Sequence, residues 1–531
     1  MSSSLLLLSS RLLSPFREGR SLQPFRLLKQ DFRNLRSRYV SDWTVFNQLV
    51  VASAVYVFFT NILPGSTFVS DLCVLTGQSW GTIEVVLSTG LCGLIFSVFS
   101  AQLLTIFGVT GPFSILAENR YKLCTENFHA EFLPVMAWSP IHSAWIHYLL
   151  AIFNAHDWTM GYVTSFSADI FSLLNSVIYF YKAAMELKRT HDNVPFDAFL
   201  YAIIGAFGSC FLAIFLATTL KWKPLFGRIV RTGLAEYAAA ISIILWIGIP
   251  YIGELANLDH QRLAVQASFR PTNPNRNIFF VRFWEVPLPS IICTLDRYGT
   301  KKPGGYAWDI ALLGTTTALC GILGILGIPP ANGLLPQAPL HSESLRHWVH
   351  EPLPSDPDVT DTTITAAPRL VSRAYEQSYS ACSQAALILV FVSPSLQRLL
   401  GLAPTSVLAG LFLSMGYESL SVNPILPRAA HMATPPSELP PLPTGVTWPS
   451  VHVYTALQIV MTGVIFGVKL TVAVPGFPII IIILVPVRLL VMNRIWSRET
   501  LRFVDGWACR EGRPEDEDIT ADGVELIPRY E

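Results

Sequence analysis

Charged residues are scarce in this sequence. Only 14% of its 531 residues are Asp, Glu, Lys or Arg, whereas 51% are hydrophobic. A soluble protein carries about 25% charged residues. The deficit is spread over many segments, so the composition predicts an all-α polytopic membrane protein. The 37 basic and 37 acidic residues cancel, and nothing in the charge balance favours nucleic acid as a partner.

The motifs of common enzymes and metal sites are missing as well. The sequence contains no phosphate-binding GxxxxGK(S/T), no HExxH and no credible nucleophile triad. Its cysteines form no CxxC pair and lie mostly in apolar runs, so we interpret them as small buried hydrophobic residues. We therefore expect neither an enzyme nor a bound cofactor or metal. The cysteines are Cys73, Cys92, Cys124, Cys210, Cys293, Cys320, Cys382 and Cys509.

Long apolar runs are abundant. A helix that spans a bilayer needs about 20 mostly apolar residues. Two segments, 110–121 and 332–345, are too short to cross alone, and each follows a Gly or Pro break. The basic stretch KWKPLFGRIVR at 221–231 indicates the cytoplasmic side by the positive-inside rule. The full-length runs lie at 43–63, 85–101, 133–155, 158–181, 198–220, 237–252, 310–328, 378–397, 404–420, 450–468 and 471–492.

The two ends of the chain are polar. Residues 1–42 hold eight Arg or Lys and three acidic residues. We interpret them as a cytoplasmic basic tail; a mitochondrial transit peptide is the alternative, because Ser, Leu and Arg predominate. Residues 493–531 end in a polar stretch rich in Asp and Glu, which predicts an acidic cytoplasmic tail.

The two short segments carry the functional prediction. Interrupted segments at matching places in two halves of a chain mark binding sites in transporters. They are FGVTGPFSILAENRY at 107–121 and GIPPANGLLPQ at 327–337. Pro112 suits a first helical turn, and Asn332 is a suitable cap for the second helix. Two facing helix N-termini would present N–H donors and partial positive charge, which favours an anion. The alternative is a pair of kinked helices without a ligand.

A few other polar residues lie in apolar runs. Glu84, at the entry of the second run, is either a functional carboxylate within the membrane or an interfacial residue. Glu418 closes the ninth run and is expected at the lipid boundary. His142 and His147 are five residues apart on one helix, and therefore on different faces. We interpret them as packing or interfacial residues rather than as a metal pair.

Several longer strings resemble the bicarbonate/borate anion transporter family, of the solute carrier family 4 type, and are most similar to its fungal borate exporters. They include SAQLLTIFGVTGP, FFVRFWEVPLP, GIPPANGLLPQAPLHSESL and SVLAGLFLSMGYESL, and the similarity extends from about Leu27 to Glu511. The resemblance implies fourteen segments in two inverted repeats of seven. It further implies that segments one to four and eight to eleven form a mobile core. The remaining segments would form a gate domain through which two copies dimerise.

The resemblance also implies where the anion binds. In the family the site lies between the starts of segments three and ten. An arginine on segment ten fixes the anion in chloride/bicarbonate exchangers, and Gln337 occupies that place here, as in borate exporters. A neutral amide can donate to and accept from the hydroxyls of borate. The predicted substrate-binding residues are Thr110, Gly111, Pro112, Asn332, Gly333 and Gln337.

The chain departs from the family at segment eight. Between residues 253 and 309 the longest run without charge is VPLPSIICTL, ten residues at 286–295. Ten helical residues rise about 15 Å, half the thickness of the hydrocarbon layer. Asp296 follows this run and is not assigned the role of the family's carboxylate. The segment is therefore predicted to be missing, through a missed exon or in a truncated paralogue.

The sequence thus predicts a secondary transporter of inorganic anions that exports borate by alternating access. The plasma membrane is the expected location, with the vacuolar membrane as the alternative. Two other functions stay open: an inverted-repeat carrier for another anion such as sulfate, and a transport-dead truncated paralogue that senses borate or dimerises with an intact relative. The predicted divisions are 1–42, 43–252 (segments 1–7), 253–309 (segment 8 lacking), 310–492 (segments 9–14) and 493–531.

Overall fold

The computed structural model is built from α-helices with four short strands. Its first half contains eight helices and one strand among the described residues. These are α1 (Arg26–Arg38), α2 (Gln48–Leu75), α3 (Thr82–Phe99), β1 (Phe107–Gly108), α4 (Phe132–Ile152), α5 (Ser165–Asn193), α6 (Phe196–Ala217), α7 (Arg228–Glu236) and α8 (Ala238–Gly248). The structure describes residues 23–109, 117, 120–122, 124–125, 132–156, 162–223, 225–263, 265, 269–272, 306–322, 328–329, 331–334, 337–351, 369–469, 477–508 and 512–514.

The second half is also mainly α-helical. Short 3-10 turns link several helices, and a π-helical turn, Val487–Val491, extends the last long one. The elements are α9 (Tyr306–Ile322), β2 (Asn332–Gly333), α10 (Gln337–Ser344), β3 (Arg346–Glu351), β4 (Arg369–Ala374), α11 (Tyr379–Val390), α12 (Pro394–Leu400), α13 (Thr405–Ser421), α14 (Ile425–Met432), α15 (Trp448–Lys469), α16 (Phe477–Pro486) and α17 (Arg498–Val504).

Each of the eleven predicted runs overlaps a helix. Four described helical stretches are long and apolar enough to cross a bilayer alone: Gln48–Gly65, Thr82–Phe99, Phe196–Lys221 and Trp448–Val468. The number rises to six if two bent pairs, α7 with α8 (69°) and α11 with α12 (101°), each count as one span. Several other predicted spans coincide with helices that are shorter than 18 residues, such as α9 and α13.

The helices form two groups. In the first group, α3 packs on α11 and α4 on α9, and α2 and α10 join them. In the second group, α13 packs on α5 and α6, with α8, α15 and α16 around them. The strongest contacts between the groups are made by α2, which touches α7, α8 and α13. This division agrees with the core and gate domains that the resemblance implies.

The boundary between the groups is mostly apolar. Phe58 and Ile62 of α2 belong to the same buried cluster as Leu411 and Phe412 of α13. Polar contacts also cross it. The Tyr56 hydroxyl of α2 donates a hydrogen bond to the Glu418 carboxylate of α13, and Gln48 Nε2 of α2 donates to the Glu236 carboxylate of α7 at 3.0 Å. Glu418 therefore faces α2, whereas its position at the lipid boundary stays a prediction.

Local sequence explains where the first two long helices begin. Asn47 caps α2, since its side-chain oxygen accepts from the Val50 N–H at 3.0 Å. Glu84 lies in the first turn of α3 and accepts from the Gly81 N–H at 3.0 Å, as in a capping box. It also accepts from the Thr272 N–H at 2.7 Å and the Thr272 hydroxyl at 2.8 Å. Glu84 is fully buried and holds a helix end together with a following loop.

The two flanks of the predicted gap lie at opposite ends of α3. Thr272 is bonded to Glu84 in its first turn, and Asp309 is bonded to Ala101, two residues past its end. Residues 273–305 connect these points and lie outside the described residues, so the absence of segment eight stays a prediction. Helix α3 has 18 residues and is about 27 Å long. The two flanks therefore lie about one helix length apart.

Candidate anion-binding site

The two interrupted segments meet in the interior of the first group. Strand β1 pairs antiparallel with β2, with Phe107 opposite Gly333 and Gly108 opposite Asn332. The Leu334 N–H extends the pairing by donating to the Ile106 carbonyl at 2.7 Å. Phe107 and Leu334 are each 2% exposed. Irregular backbone at membrane depth is tolerated where protein covers it and satisfies its hydrogen bonds, and both conditions hold here.

The strands reach this point from opposite ends of the group. Helix α3 ends near the first turn of α9, because Asp309 accepts a hydrogen bond from the Ala101 N–H at 2.7 Å. The chain then passes from the end of α3 to β1, whereas it traverses α9 before it reaches β2. Two matching helix–break units that approach one point from opposite sides have the arrangement of an inverted repeat.

Glycine is required in β1 because there is no room for a side chain. A Cβ atom on Gly108 would lie 2.5 Å from the Asn61 side-chain oxygen and 2.8 Å from Leu334 Cδ1. Real Cβ atoms do not approach other atoms so closely, so any larger residue must displace the side chains of Asn61 and Leu334. The close approach of backbone to side chain explains this one glycine of the first break.

Two neighbouring residues of α2 brace both sides of the pair. Asn61 Nδ2 donates to the Phe107 carbonyl of β1 at 2.8 Å and to Gln384 Oε1 of α11 at 3.2 Å. The Thr60 carbonyl accepts from Gln337 Nε2 at 3.1 Å. Asn61 and Gln384 are 3% and 1% exposed, so these amides are desolvated and depend on their mutual hydrogen bonds. Helix α2 thereby fixes the relative position of the two breaks.

Gln337 is the first residue of α10 and is 4% exposed. Its Nε2 is used by the Thr60 carbonyl, but its Oε1 has no hydrogen-bond partner among the described residues. A buried amide oxygen without a partner is costly and is commonly satisfied by a ligand or water. Asn332 lies in β2, five residues before α10 begins, so the prediction that Asn332 caps this helix is wrong.

The rest of α10 is clamped by hydrogen bonds. His341 Nδ1 lies 2.9 Å from the Leu104 carbonyl and Nε2 lies 2.6 Å from the Ser380 hydroxyl. A carbonyl only accepts, so Nδ1 carries the proton, and Nε2 of a neutral ring accepts from Ser380. At the last turn, Ser344 Oγ lies 2.6 Å from Ser53 Oγ of α2. Helix α10 is thus held along its length against α2, α11 and the residues before β1.

The predicted site residues divide into two sets. Asn332, Gly333 and Gln337 lie together beside β1, whereas Thr110, Gly111 and Pro112 lie outside the described residues. Sequence reasoning missed three buried polar residues next to them, which are Asn61, Gln384 and His341. Their signal was present, because each is a polar side chain in an apolar or interrupted run, where such residues are rare.

The polar groups around the strands are neutral amides and hydroxyls. Among the described residues, no Asp, Glu, Lys or Arg side chain is hydrogen-bonded to Asn61, Gln384 or Gln337. The described part of the site therefore offers donors and acceptors without a fixed charge. Neutral amides and hydroxyls pair with ligand hydroxyl groups by donating and accepting hydrogen bonds.

Other candidates from the sequence have structural partners. His147 is buried, and its Nδ1 lies 2.7 Å from the Ser143 carbonyl, which agrees with a packing histidine. The described residues contain no group of three or more His, Cys, Asp or Glu that could hold a metal ion. Five cysteines are free thiols, and three of these are buried: Cys92, Cys124 and Cys210.

Comparison with known proteins assigns the family. The chain matches the family described as the HCO3- transporter integral membrane domain, over residues 23–198, 188–295 and 283–508. The chain belongs to this family. The match spans both helix groups and both breaks, so the site described above lies within the family's membrane domain.

Individual transporters are similar to this chain over most of its length. The chain is 29% identical to boron transporter 1 of Saccharomyces cerevisiae over 510 residues. The aligned region covers 90% of this chain and 84% of that protein. It is 24% identical to anion exchange protein 3 of Danio rerio, over 92% of this chain and 45% of that longer protein. With the transmembrane domain of the cyanobacterium bicarbonate transporter BicA the TM-score is 0.44, at 13% identity, over 83% of this chain and 96% of that one. A score at this level is too low to carry the fold assignment, which rests on the family match and the helices.

Proposed function

We propose that this chain is a secondary transporter that exports borate across a membrane, with the substrate held between β1, β2 and the first turn of α10. Gln337 carries the proposal, because its buried side chain projects one unpartnered acceptor beside the paired breaks. The proposed binding residues are Thr110, Gly111, Pro112, Asn332, Gly333 and Gln337. The relative named as a boron transporter supports borate over other anions.

The chemistry of the site favours a hydroxylated substrate. Borate presents B–OH groups that both donate and accept, and the free Gln337 Oε1 is an acceptor. Chloride has no hydrogen to donate, so it would leave this oxygen unsatisfied. A buried acceptor that is left unpaired costs about 1–3 kcal/mol, which corresponds to roughly a 5- to 150-fold preference for the hydroxylated substrate.

Alternating access fits the division into two groups. The boundary is an apolar cluster, which lacks the directional bonds that would lock two bodies in one position. The Tyr56–Glu418 hydrogen bond is a polar contact across it. In the proposed cycle the first group moves against the second and carries the bound anion, as the family's core and gate would.

A homodimer through the second group is the proposed assembly. Helix α6 exposes large apolar side chains at intervals of three or four residues, which places them on one face. Oxidation of a Phe211→Cys variant in the membrane is expected to give a disulfide-linked dimer, whereas only monomer would indicate that this face contacts lipid. The exposed residues are Phe196, Leu200, Ile204, Phe207, Phe211 and Phe215.

The site is tested by borate efflux from cells that express Gln337→Leu. We expect a loss of at least about tenfold in rate, because the apolar side chain removes the acceptor. Gln397→Leu is the matched control, since Gln397 is also buried, also donates Nε2 to a backbone carbonyl (Phe391, 2.7 Å) and also has an unpartnered Oε1. It lies in α12, away from the strands. Equal rates for both variants would refute the assignment.

The transport-dead alternative is tested by comparing the 531-residue chain with a chain that carries a relative's eighth segment. If segment eight is lacking, we expect no export from the 531-residue chain and poor retention in its membrane. Insertion of a relative's eighth segment between Pro289 and Ser290 should then restore both, and the Gln337 comparison is made in that chain. Export by the unmodified chain at the rate of the repaired chain would exclude the alternative.

A further inference from the structure

The exposed residues of α1 are ordered around the helix axis from aromatic to basic to neutral polar. Residues seven apart on a helix drift by only about 20°, so Phe32 and Tyr39 form one line along α1. They are 49% and 36% exposed. Moving around the helix by about 100° per residue, the next exposed positions are Arg36, Lys29 and Arg33. Neutral polar residues follow on the far side; they are Ser37 and Gln30.

The opposite face of α1 is anchored to the first group. Asp31 Oδ2 accepts from the Ala307 N–H at 2.9 Å and the Trp308 N–H at 3.2 Å, which caps the start of α9. The aromatic line also contacts α9, because the rings of Phe32 and Trp308 lie 5.3 Å apart. At the other end of α1, the Arg38 guanidinium donates to the Ala101 carbonyl, just past the end of α3.

These contacts place α1 at the level where membrane spans end. Helix α9 begins the predicted span at 310–328, and Ala101 closes the predicted span at 85–101. A helix at this level meets hydrocarbon on one side, lipid headgroups beside it and water beyond. The order of aromatic, basic and neutral polar residues around α1 matches that gradient, which is typical of helices that lie in the membrane interface.

We propose that α1 binds anionic phospholipid through Lys29, Arg33 and Arg36, and that this binding stabilises its docking on the first group. The basic lines face outward, and the aromatic line beside them enters the boundary of the acyl chains. Each basic residue close to an anionic surface contributes about fivefold in affinity (about 1 kcal/mol). Three such residues make the contact sensitive to the lipid composition of the cytoplasmic leaflet.

The start of α9, on which α1 docks, is hydrogen-bonded to the residues before β1. Asp309, in the first turn of the helix that Asp31 caps, accepts from the N–H groups of Ala101 at 2.7 Å and Gln102 at 2.9 Å. It also accepts from the Ser100 hydroxyl at 3.0 Å. These residues connect α3 to β1, so lipid that holds α1 in place also holds the chain that enters the paired breaks.

Hydrogen exchange on the full chain tests the proposal without reference to transport. The protein is placed in vesicles of phosphatidylcholine, with or without phosphatidylserine, and amide exchange is followed by mass spectrometry. With phosphatidylserine, we expect amides of α1 and those of Ala307 and Trp308 to exchange at least about tenfold more slowly. Inorganic phosphate added to phosphatidylcholine vesicles should not reproduce the effect.

Charge variants decide which residues are responsible. The triple variant Lys29→Gln, Arg33→Gln, Arg36→Gln should lose the response to phosphatidylserine. A second variant with Arg33→Lys and Arg36→Lys keeps the charges and should keep the response, which separates binding from misfolding. The matched control removes three exposed basic residues elsewhere on the predicted cytoplasmic side and should also keep it: Lys221→Gln, Lys223→Gln, Arg228→Gln.

Three results would overturn the proposal. One is exchange in α1 that is the same in both lipids. Another is a response that does not depend on the three basic residues and the lipid together, as shown by its survival in the triple glutamine variant or its reproduction by inorganic phosphate. The third is protection of α1 that leaves Ala307 and Trp308 unchanged, because docking would then be independent of the lipid.

Discussion

Helices α6 and α13 of the second group meet backbone to backbone, whereas the breaks of the first group are joined by amide side chains. A Cβ atom on Gly410 of α13 would lie 2.5 Å from the Ala206 carbonyl oxygen of α6. In the first group, Asn61 and Gln337 connect α2 to the segments of both breaks. The contact of α6 with α13 is therefore expected to be sensitive to added volume, and the paired breaks to the loss of a hydrogen bond.

The two kinds of contact suit different functions. Close packing makes a rigid scaffold, because helices that approach each other this closely have few alternative positions. Hydrogen bonds between side chains and irregular backbone allow a site to be built where regular structure has ended, at the cost of burying polar groups. A rigid body and a polar binding body are the two parts that alternating access requires.

The largest expected effect is in the second group. Gly410→Leu inserts four heavy atoms where even the first has no room, and we expect a loss of about 4 kcal/mol in the stability of the purified protein. The control is Gly463→Leu in α15, where nothing lies within 4 Å of the added Cβ. Thermal unfolding in detergent measures both. A Gly410 variant as stable as the Gly463 variant would contradict the close contact of α6 and α13.

The next effect is in the first group. Asn61→Leu leaves the Phe107 carbonyl and Gln384 Oε1 without their donor, and we expect a loss of about 2–3 kcal/mol together with loss of transport. Asn193→Leu is the control, because Asn193 also donates to a backbone carbonyl, at 2.8 Å, but is exposed. Its unfolding temperature should stay within error of the parent. Matching shifts for both variants would show that the braces add no stability.

A smaller change probes a place where the strands of the first group also lack room. Gly108→Ala adds a single atom against Asn61 and Leu334, and we expect a loss of about 1–2 kcal/mol, with reduced transport. Gly65→Ala in α2, where the added Cβ meets nothing within 4 Å, is expected to be neutral or stabilising. Full transport by the Gly108 variant would mean that β1 and β2 are not held as closely as described.

Much of the fold is predictable from the sequence because bilayer thickness sets the length of apolar runs. The long runs coincide with helices for that reason. The positions of the breaks were also predictable, since Pro and Gly interrupt helices wherever they occur. The contacts were not. Glu84 and Glu418 have similar sequence surroundings, yet one caps a helix and the other meets Tyr56 across a boundary.

The braces of the site were missed for a physical reason. Asn61 lies in the first predicted run, and nothing in its neighbours reveals that it faces a strand 46 residues later. The helix cap at Asn332 was wrong because a sequence does not show that the chain stays extended for several residues before α10 starts. Pairing with β1 keeps it extended, and that partner is distant in sequence.

The smallest effect on stability is expected from two substitutions that report sidedness. Asp259→Thr creates an N-glycosylation acceptor at Asn257, and Arg36→Thr creates one at Asn34; the natural sequence contains none. Both altered positions are exposed. We expect glycosylation at Asn257 alone, because it follows the seventh predicted segment, which ends outside when the N-terminus is inside, and Asn34 lies in the cytoplasmic tail. Modification of Asn34, or of both, would contradict the orientation.

The meeting of the two breaks is tested most directly by cross-linking Phe107→Cys with Gly333→Cys. Directly opposed residues of an antiparallel pair have Cα atoms about 4.5–5.5 Å apart, within the range that a disulfide bridges. After mild oxidation in membranes and proteolysis between α6 and α9, the account predicts two fragments that stay joined until a reducing agent is added. Each single-cysteine variant should give separate fragments under the same conditions. Fragments of the double variant that separate without reduction would contradict the pairing of β1 with β2, and with it the site.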